Sequence, residues 1–273
     1  MTERQVVLRG GLRMSVEDAG QGEPLLMLHA GVADRHMWDR QWDWLSQEMR
    51  VIRWDWRGFG ETPQVPGPFS YAEDVIAVMD ALGIERAGIL ACSFSGSVAI
   101  QIAILRPERV GRLILSGSGI PGYEFSNPPQ VDEMFSRIDR ALNGGDTEQA
   151  LGLLERLWLV GPCRGQEDID EKYLQEARIL LRRTPLVDDG SVSEDSAWSA
   201  ENRLTEIKVP LLIVVGDADV PDTLASSVFL ANTLPQAKFE MVAGAAHLPS
   251  MEKPQQFNAI VGKWLTETRL QAQ

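Results

Sequence analysis

Leu25-Leu26-Met27-Leu28 is a short, continuous apolar run, and from it onward strand-like segments alternate with stretches of helical periodicity. The further strands are read at Val51–Trp54, Ala87–Cys92, Val110–Ser116, Pro210–Gly216 and Ala237–Ala243. A run with no polar alternation fits a strand covered on both faces. Between the runs, Trp38, Trp42, Leu45 and Met49 share one helical face. Tyr71, Val75, Val78, Met79 and Leu82 share another, closed by Gly83 at a helix C-cap position. Phe94–Leu105 is apolar almost all round and stops before Pro107; Leu224–Leu234 and the stripe Phe257, Ile260, Val261, Trp264 and Leu265 complete the series. Strand–helix–strand repeats of this kind build a parallel sheet with helices on both faces. At the N-terminus, Gln5–Asp18 reads as two strands meeting at Gly10-Gly11, with Leu12, Met14 and Val16 alternating as on a half-buried antiparallel strand.

The alternation breaks after Ile120-Pro121-Gly122. From there to about residue 202 no convincing strand is seen. Three helical patterns appear instead: Val131/Met134/Phe135/Ile138, Leu151/Leu154/Leu157/Trp158 and Tyr173/Leu174/Ala177/Leu181. The organisation expected is a core formed by 1–120 and 206–273, with 121–205 as a helical lid.

Composition narrows the partners. With 26 basic and 39 acidic residues the net charge is −13, which disfavours nucleic acid and anionic lipid. The chain has no apolar run of about 18 residues and no secretory stretch at its start, so no membrane contact and a cytoplasmic location are expected. Cys92 and Cys163 are read as free thiols. Three scattered histidines, at 29, 36 and 247, imply no metal. No cofactor is expected, and a homodimer is left open.

Ser93 falls between the strand ending at Cys92 and the helix beginning at Phe94. A serine in so tight a turn is lifted from the backbone toward the open end of the sheet, provided its neighbours two positions away are small. Ala91 and Ser95 are small. The same small-x-Ser-x-small pattern fits Ser95 and, loosely, Ser118. Ser95 would lie inside the helix start, and Ser118 leads toward Pro121, not into a helix. His247, in Gly244-Ala245-Ala246-His247-Leu248-Pro249, follows the last strand. Asp217, Asp219 and Asp222 follow the strand before it. Asp219 is favoured because it lies past the strand tip; Asp217 suits a turn and Asp222 a helix start. In this order Ser93 is the nucleophile, His247 its base, and Asp219 the acid that orients the imidazole. An oxyanion would then meet the N–H of Phe94 and an N–H of the loop His29-Ala30-Gly31-Val32, with Gly31 the choice. His29 is read as support for that loop.

Five segments together resemble the α/β-hydrolase superfamily over nearly the whole chain: Leu28-His29-Ala30-Gly31, Asp55-Trp56-Arg57-Gly58-Phe59-Gly60, Arg106-Pro107-Glu108-Arg109-Val110, Gly216-x-x-Asp219 and Gly244-x-x-His247. Within it the sequence is most similar to carboxylesterases and lactonases of the 3-oxoadipate enol-lactonase type. The resemblance implies an α/β-hydrolase fold with a mostly parallel eight-stranded sheet, helices on both faces and an inserted helical lid. Three places depart from the family pattern: Ala91 and Ser95 replace the usual glycines, Ala30 stands where glycine is common, and Glu61-Thr62 is unusual. Serine at 93 argues against dehalogenases and epoxide hydrolases, whose families place aspartate there.

The expected substrate is a small or medium ester or lactone. Trp158, Trp198 and Leu248 are candidate pocket residues, with Met134, Phe135 and Leu157 as further walls, and Arg164 is a candidate partner for a substrate carboxylate. Perhydrolysis, acyl transfer and C–C bond hydrolysis use the same three residues and stay open. So does a ligand receptor that keeps the fold without turnover.

Overall fold

The structure is a computed structural model that describes residues 2–165, 167, 169–186 and 191–268. Strands β1 (Thr2–Val7) and β2 (Arg13–Ala19) form an antiparallel hairpin. Its turn passes through Gly10 and Gly11, both with φ near +80°, a conformation that costs glycine little. β3 (Pro24–Leu28), α1 (Asp39–Glu48), β4 (Arg50–Trp54), β5 (Gly67–Phe69) and α2 (Tyr71–Ala81) follow. Then come β6 (Ala87–Cys92), α3 (Phe94–Leu105) and β7 (Val110–Ser116).

The main sheet has eight strands in the order β1-β2-β4-β3-β6-β7-β9-β10, where β9 is Leu211–Gly216 and β10 is Ala237–Val242. All pairs from β4 to β10 are parallel. Helices α7 (Pro221–Thr233), α8 (Pro249–Glu252) and α9 (Pro254–Glu267) complete the repeat. The packing of β3 and β6 shows why their apolar runs are unbroken. Leu26 and Leu28 pack with α2 and α3 on one face, while Leu25 and Met27 pack with α1 and α9 on the other. Ile89 and Ala91 face the first layer, and Leu90 and Cys92 the second. Where both faces of a strand are covered, as in β3 and β6, period-two alternation places successive residues in two apolar layers, and the run is apolar throughout.

Between β7 and β9 lie α4 (Pro129–Asn143), α5 (Thr147–Leu154), a π-helical turn at Glu155–Val160 and α6 (Glu171–Leu181). Val131, Ile138, Leu153 and Leu157 bury against one another and Val220. One expectation needs correction. The segment does contain a strand, β8 (Ser191–Ser193), which pairs in parallel with β5 as a separate two-stranded sheet. Three residues are too few to produce a periodic signature. The turn Asp188-Asp189-Gly190, read as a connector, lies outside the described residues. Among the described residues no helix is long and apolar enough to cross a membrane.

Candidate active site

The C-terminal ends of the parallel strands converge on one rim of the sheet, and the chemistry-bearing residues are there. Ser93 follows β6 with φ 62° and ψ −128°. Asn202 is the other non-glycine described residue with a positive φ. Such a backbone costs about 1–3 kcal/mol and persists only where the surroundings hold it. The hold is visible: the Ser93 N–H donates to Ser116 O at 2.9 Å, and its carbonyl accepts from Gly96 N–H at 2.9 Å. Close passage at the turn is enforced from the other side by Gly96, where a Cβ would overlap the Ser118 hydroxyl.

The two competing serines are committed elsewhere. Ser95 is fully buried, accepts from Trp56 Nε1 at 2.9 Å and donates to the His29 carbonyl. Ser118 donates to the Gly119 carbonyl at 2.8 Å.

His247 is buried, with Nδ1 3.0 Å from both Oδ1 and Oδ2 of Asp219. An ionised carboxylate only accepts, so this contact puts the ring proton on Nδ1 and the lone pair on Nε2. Asp219 also accepts from Val220 N–H at 2.7 Å. The neighbouring aspartates serve the backbone: Asp217 accepts from Gly244 N–H at 2.7 Å, and Asp222 sits in the first turn of α7, paired with Asn127. Gly117, just past β7, lies against the pair; a Cβ there would be 3.0 Å from Asp219 Oδ2 and 3.3 Å from His247 Nδ1. Cys92, one residue before Ser93, directs its thiol at the His247 carbonyl at 3.7 Å. Burial raises the pKa of that thiol, which keeps it protonated at neutral pH as an inert packing group. Among the hydrogen bonds of the described residues, none joins Ser93 to His247; in unliganded sites such bonds are often long and tighten only with substrate.

Gly31 and Phe94 come together: a Cβ on Gly31 would touch the Phe94 ring at 3.4 Å. Phe94 is the first residue of α3, where amides have no partner within the helix. The loop before Gly31 is braced by His29, which is fully buried. Its Nε2 accepts from Trp56 N–H at 3.0 Å, so its proton sits on Nδ1, 2.9 Å from the Ala30 carbonyl. Burial holds its pKa below the ordinary value, with the Ala30 carbonyl opposing.

The candidate substrate residues divide. Trp158, on the π-helical turn, has its ring centroid 4.3 Å from the His247 ring, and its carbonyl accepts from His247 N–H at 3.3 Å. Trp198 lines a cavity of about 340 Å³ with Tyr71, Phe94, Val98 and Gln101. Met134 and Phe135 pack onto the small core around the fully buried Leu157. Two expectations are corrected. Leu248 has no accessible surface and belongs to the core under α1 and α9, so it presents nothing to a ligand. Arg164 is not poised for a substrate carboxylate. Its Nε donates to the Val160 carbonyl, Nη1 to Gly244 O at 2.8 Å, and Nη2 to Glu252 Oε2 at 2.8 Å. Sequence reasoning missed Glu252 altogether, since an acidic residue at a helix end carries no distinguishing signal.

A family model for the alpha/beta hydrolase fold matches residues 23–254. The chain belongs to that family. It is 28% identical over 275 residues to a 2-hydroxymuconate semialdehyde hydrolase of Pseudomonas sp. (strain CF600), covering 96% of this chain and 93% of the relative. It is 30% identical over 272 residues to a 2-hydroxy-6-oxononadienedioate/2-hydroxy-6-oxononatrienedioate hydrolase of Paraburkholderia phymatum, covering 93% and 92%. Among solved structures, a thermophilic esterase from Thermogutta terrifontis superposes with a TM-score of 0.80 at 24% identity, covering 99% of this chain and 100% of that one. The last likeness speaks to the fold alone.

Proposed function

We propose that the chain is a serine hydrolase that cleaves a small or medium carboxylic ester or lactone through an acyl-enzyme on Ser93. The observation that carries this reading is the backbone of Ser93, held at φ 62° directly at the β6–α3 junction. Strain of this kind has no use in an ordinary N-cap, which adopts extended geometry without cost. It aims a hydroxyl out of the turn.

In this mechanism His247 Nε2 takes the Ser93 proton as Oγ attacks the carbonyl carbon. Asp219 keeps the other ring nitrogen protonated and stabilises the imidazolium that forms. The carbonyl oxygen, now negative, accepts from the amides of Phe94 and Gly31. The C–O bond breaks, and the leaving alkoxide takes the proton from His247. Water then attacks the acyl-enzyme by the same route, releasing the acid and restoring the Ser93 hydroxyl. Residues 121–205 act as a lid, with Trp158 covering the imidazole.

A second reading, C–C bond hydrolysis, is favoured by the names of the two relatives above. The dienedioate named for the second carries two carboxylates, which call for a cation in the pocket. The arginines flanking Trp158 are engaged by the protein itself: Arg156 by the Gly161 and Pro162 carbonyls, and Arg164 as described. This supports a neutral ester over a dianion. Turnover of p-nitrophenyl acetate and butyrate, and of small lactones, is expected to exceed that of a dienedioate. A fluorophosphonate should label the wild type and not Ser93→Ala. Equal ester turnover in Ser93→Ala would overturn the reading.

A further inference from the structure

The loop carrying His247 is tied to the segment that follows α5 at Gly244 and at His247, and to the end of α8 at Ala246. Glu252, its side chain 1% exposed, turns back from the end of α8 and accepts from Ala246 N–H at 2.8 Å. The same carboxylate holds Arg164, with Oε1 2.6 Å and Oε2 2.8 Å from Nη2. Arg164 then spans the gap, reaching Gly244 O with Nη1 and Val160 O with Nε. One residue further along the loop, His247 N–H donates to Trp158 O. We propose that Arg164 and Glu252 are positioning residues for His247, making the base competent only while the turn at Glu155–Val160 is seated against its loop.

This inference rests on the reading of His247 as the base. Its physical ground is the distribution of the contacts. Each of the three guanidinium nitrogens reaches a different piece of chain: the turn that carries Trp158, the loop that carries His247, and the helix after it. Burial raises the Glu252 carboxyl, while the Ala246 amide and Arg164 favour its charged form. A buried ion pair is weak support for stability in itself, since desolvation offsets much of its attraction. A fork that joins the two segments flanking the imidazole fixes geometry instead, and lysine, a single point charge, cannot reproduce it. Small displacements of a reacting group lower turnover steeply.

The test compares Arg164→Lys, Arg164→Met and Glu252→Gln with the wild type in the full chain. Steady-state hydrolysis of p-nitrophenyl butyrate and amide hydrogen exchange across residues 243–252 are measured for each. Arg164→Met and Glu252→Gln are expected to lose about 10–100-fold in kcat with KM little changed, and Arg164→Lys to fall between. The double variant should be no slower than the slower single one, because both act through one loop. Exchange at Ala246 and His247 should accelerate in each. Folded variants with unaltered kcat, or with the whole loss in KM, would overturn the proposal. If Arg164→Met fails to fold, wild-type kcat in Arg164→Lys overturns it equally. Should Ser93→Ala retain turnover, the functional reading fails by itself. The positioning role is then judged by exchange, and unchanged protection in Arg164→Lys and Glu252→Gln refutes it.

Discussion

Replacing Ser93 by glycine should make the protein more stable than replacing it by alanine. Both substitutions remove the hydroxyl, so both should abolish ester turnover. They differ at the backbone. At φ 62° and ψ −128° any Cβ is strained, and alanine keeps the Cβ that serine has. Two hydrogen bonds, to Ser116 O and from Gly96 N–H, prevent the turn from relaxing. Strain of about 1–3 kcal/mol is therefore retained in Ser93→Ala and released in Ser93→Gly. Glycine gives back roughly 0.4–1 kcal/mol through its greater freedom in the unfolded chain. The difference left is about 1.3 kcal/mol in favour of glycine at the middle of those ranges. For a chain of this size that corresponds to roughly 3–5 °C in Tm. Thermal unfolding of the two variants, followed by circular dichroism in the same buffer, measures it directly. A Ser93→Ala protein melting at or above Ser93→Gly would show that the turn stores no strain, and the main support for a nucleophile at 93 would go with it.

Asp219→Asn should leave the site intact yet lower kcat by about 10⁴-fold, because the amide can present its N–H₂ to Nδ1 and favour the wrong tautomer; p-nitrophenyl ester kinetics check it. Gly216→Ala places a Cβ into the Ala245 and Ala246 carbonyls, which are backbone and cannot rotate away. A cost of about 1–3 kcal/mol in urea unfolding, with loss of kcat through the displaced His247 loop, is expected. His29 has a folded pKa below its unfolded value of about 6.5, so the unfolded state binds the proton first. Its contribution is absent above that pH, and it lowers stability as pH falls below it, by up to about 1.4 kcal/mol per unit. The urea midpoint of His29→Gln should therefore fall less than that of the wild type between pH 7 and pH 5.5.

The parts of the fold that were legible in the sequence are those where one physical rule acts alone. The run Leu25–Leu28 admits few readings because both faces of β3 are covered, and Gly83, with φ +65°, closes α2 as its position suggests. Short features ruled by pairing alone were not legible. β5 and β8 hold three residues each and find one another across more than a hundred positions. The π-helical turn at Glu155–Val160 is likewise invisible, since Leu154, Leu157 and Trp158 fit an ordinary helix. That one irregularity aims Trp158 at the His247 ring. Arg164 failed for another reason: an isolated arginine in a glycine-rich loop gives no hint of a buried carboxylate 88 positions away.

The segment Asp55–Gly60 shows how a motif known first by resemblance acquires a physical account. It does not touch the reacting atoms. Asp55 is buried, accepts from Arg35 N–H at 2.8 Å and Glu61 N–H at 3.0 Å, and pairs with the Arg35 guanidinium. Gly60 turns at φ +50° because a Cβ there would collide with the Asp55 carboxylate. The loop so fixed presents Trp56, whose backbone N–H meets His29 Nε2 and whose indole N–H meets Ser95 Oγ. One tryptophan thereby ties the His29–Gly31 loop to the first turn of α3. In the mechanism proposed above, those two pieces carry the amides of Gly31 and Phe94 that receive the oxyanion, and such donors must converge on one oxygen to within a few tenths of an ångström to be of use. On that reading Asp55, just after β4, sets the spacing of two donors that follow β3 and β6, while its own charge is paired with Arg35.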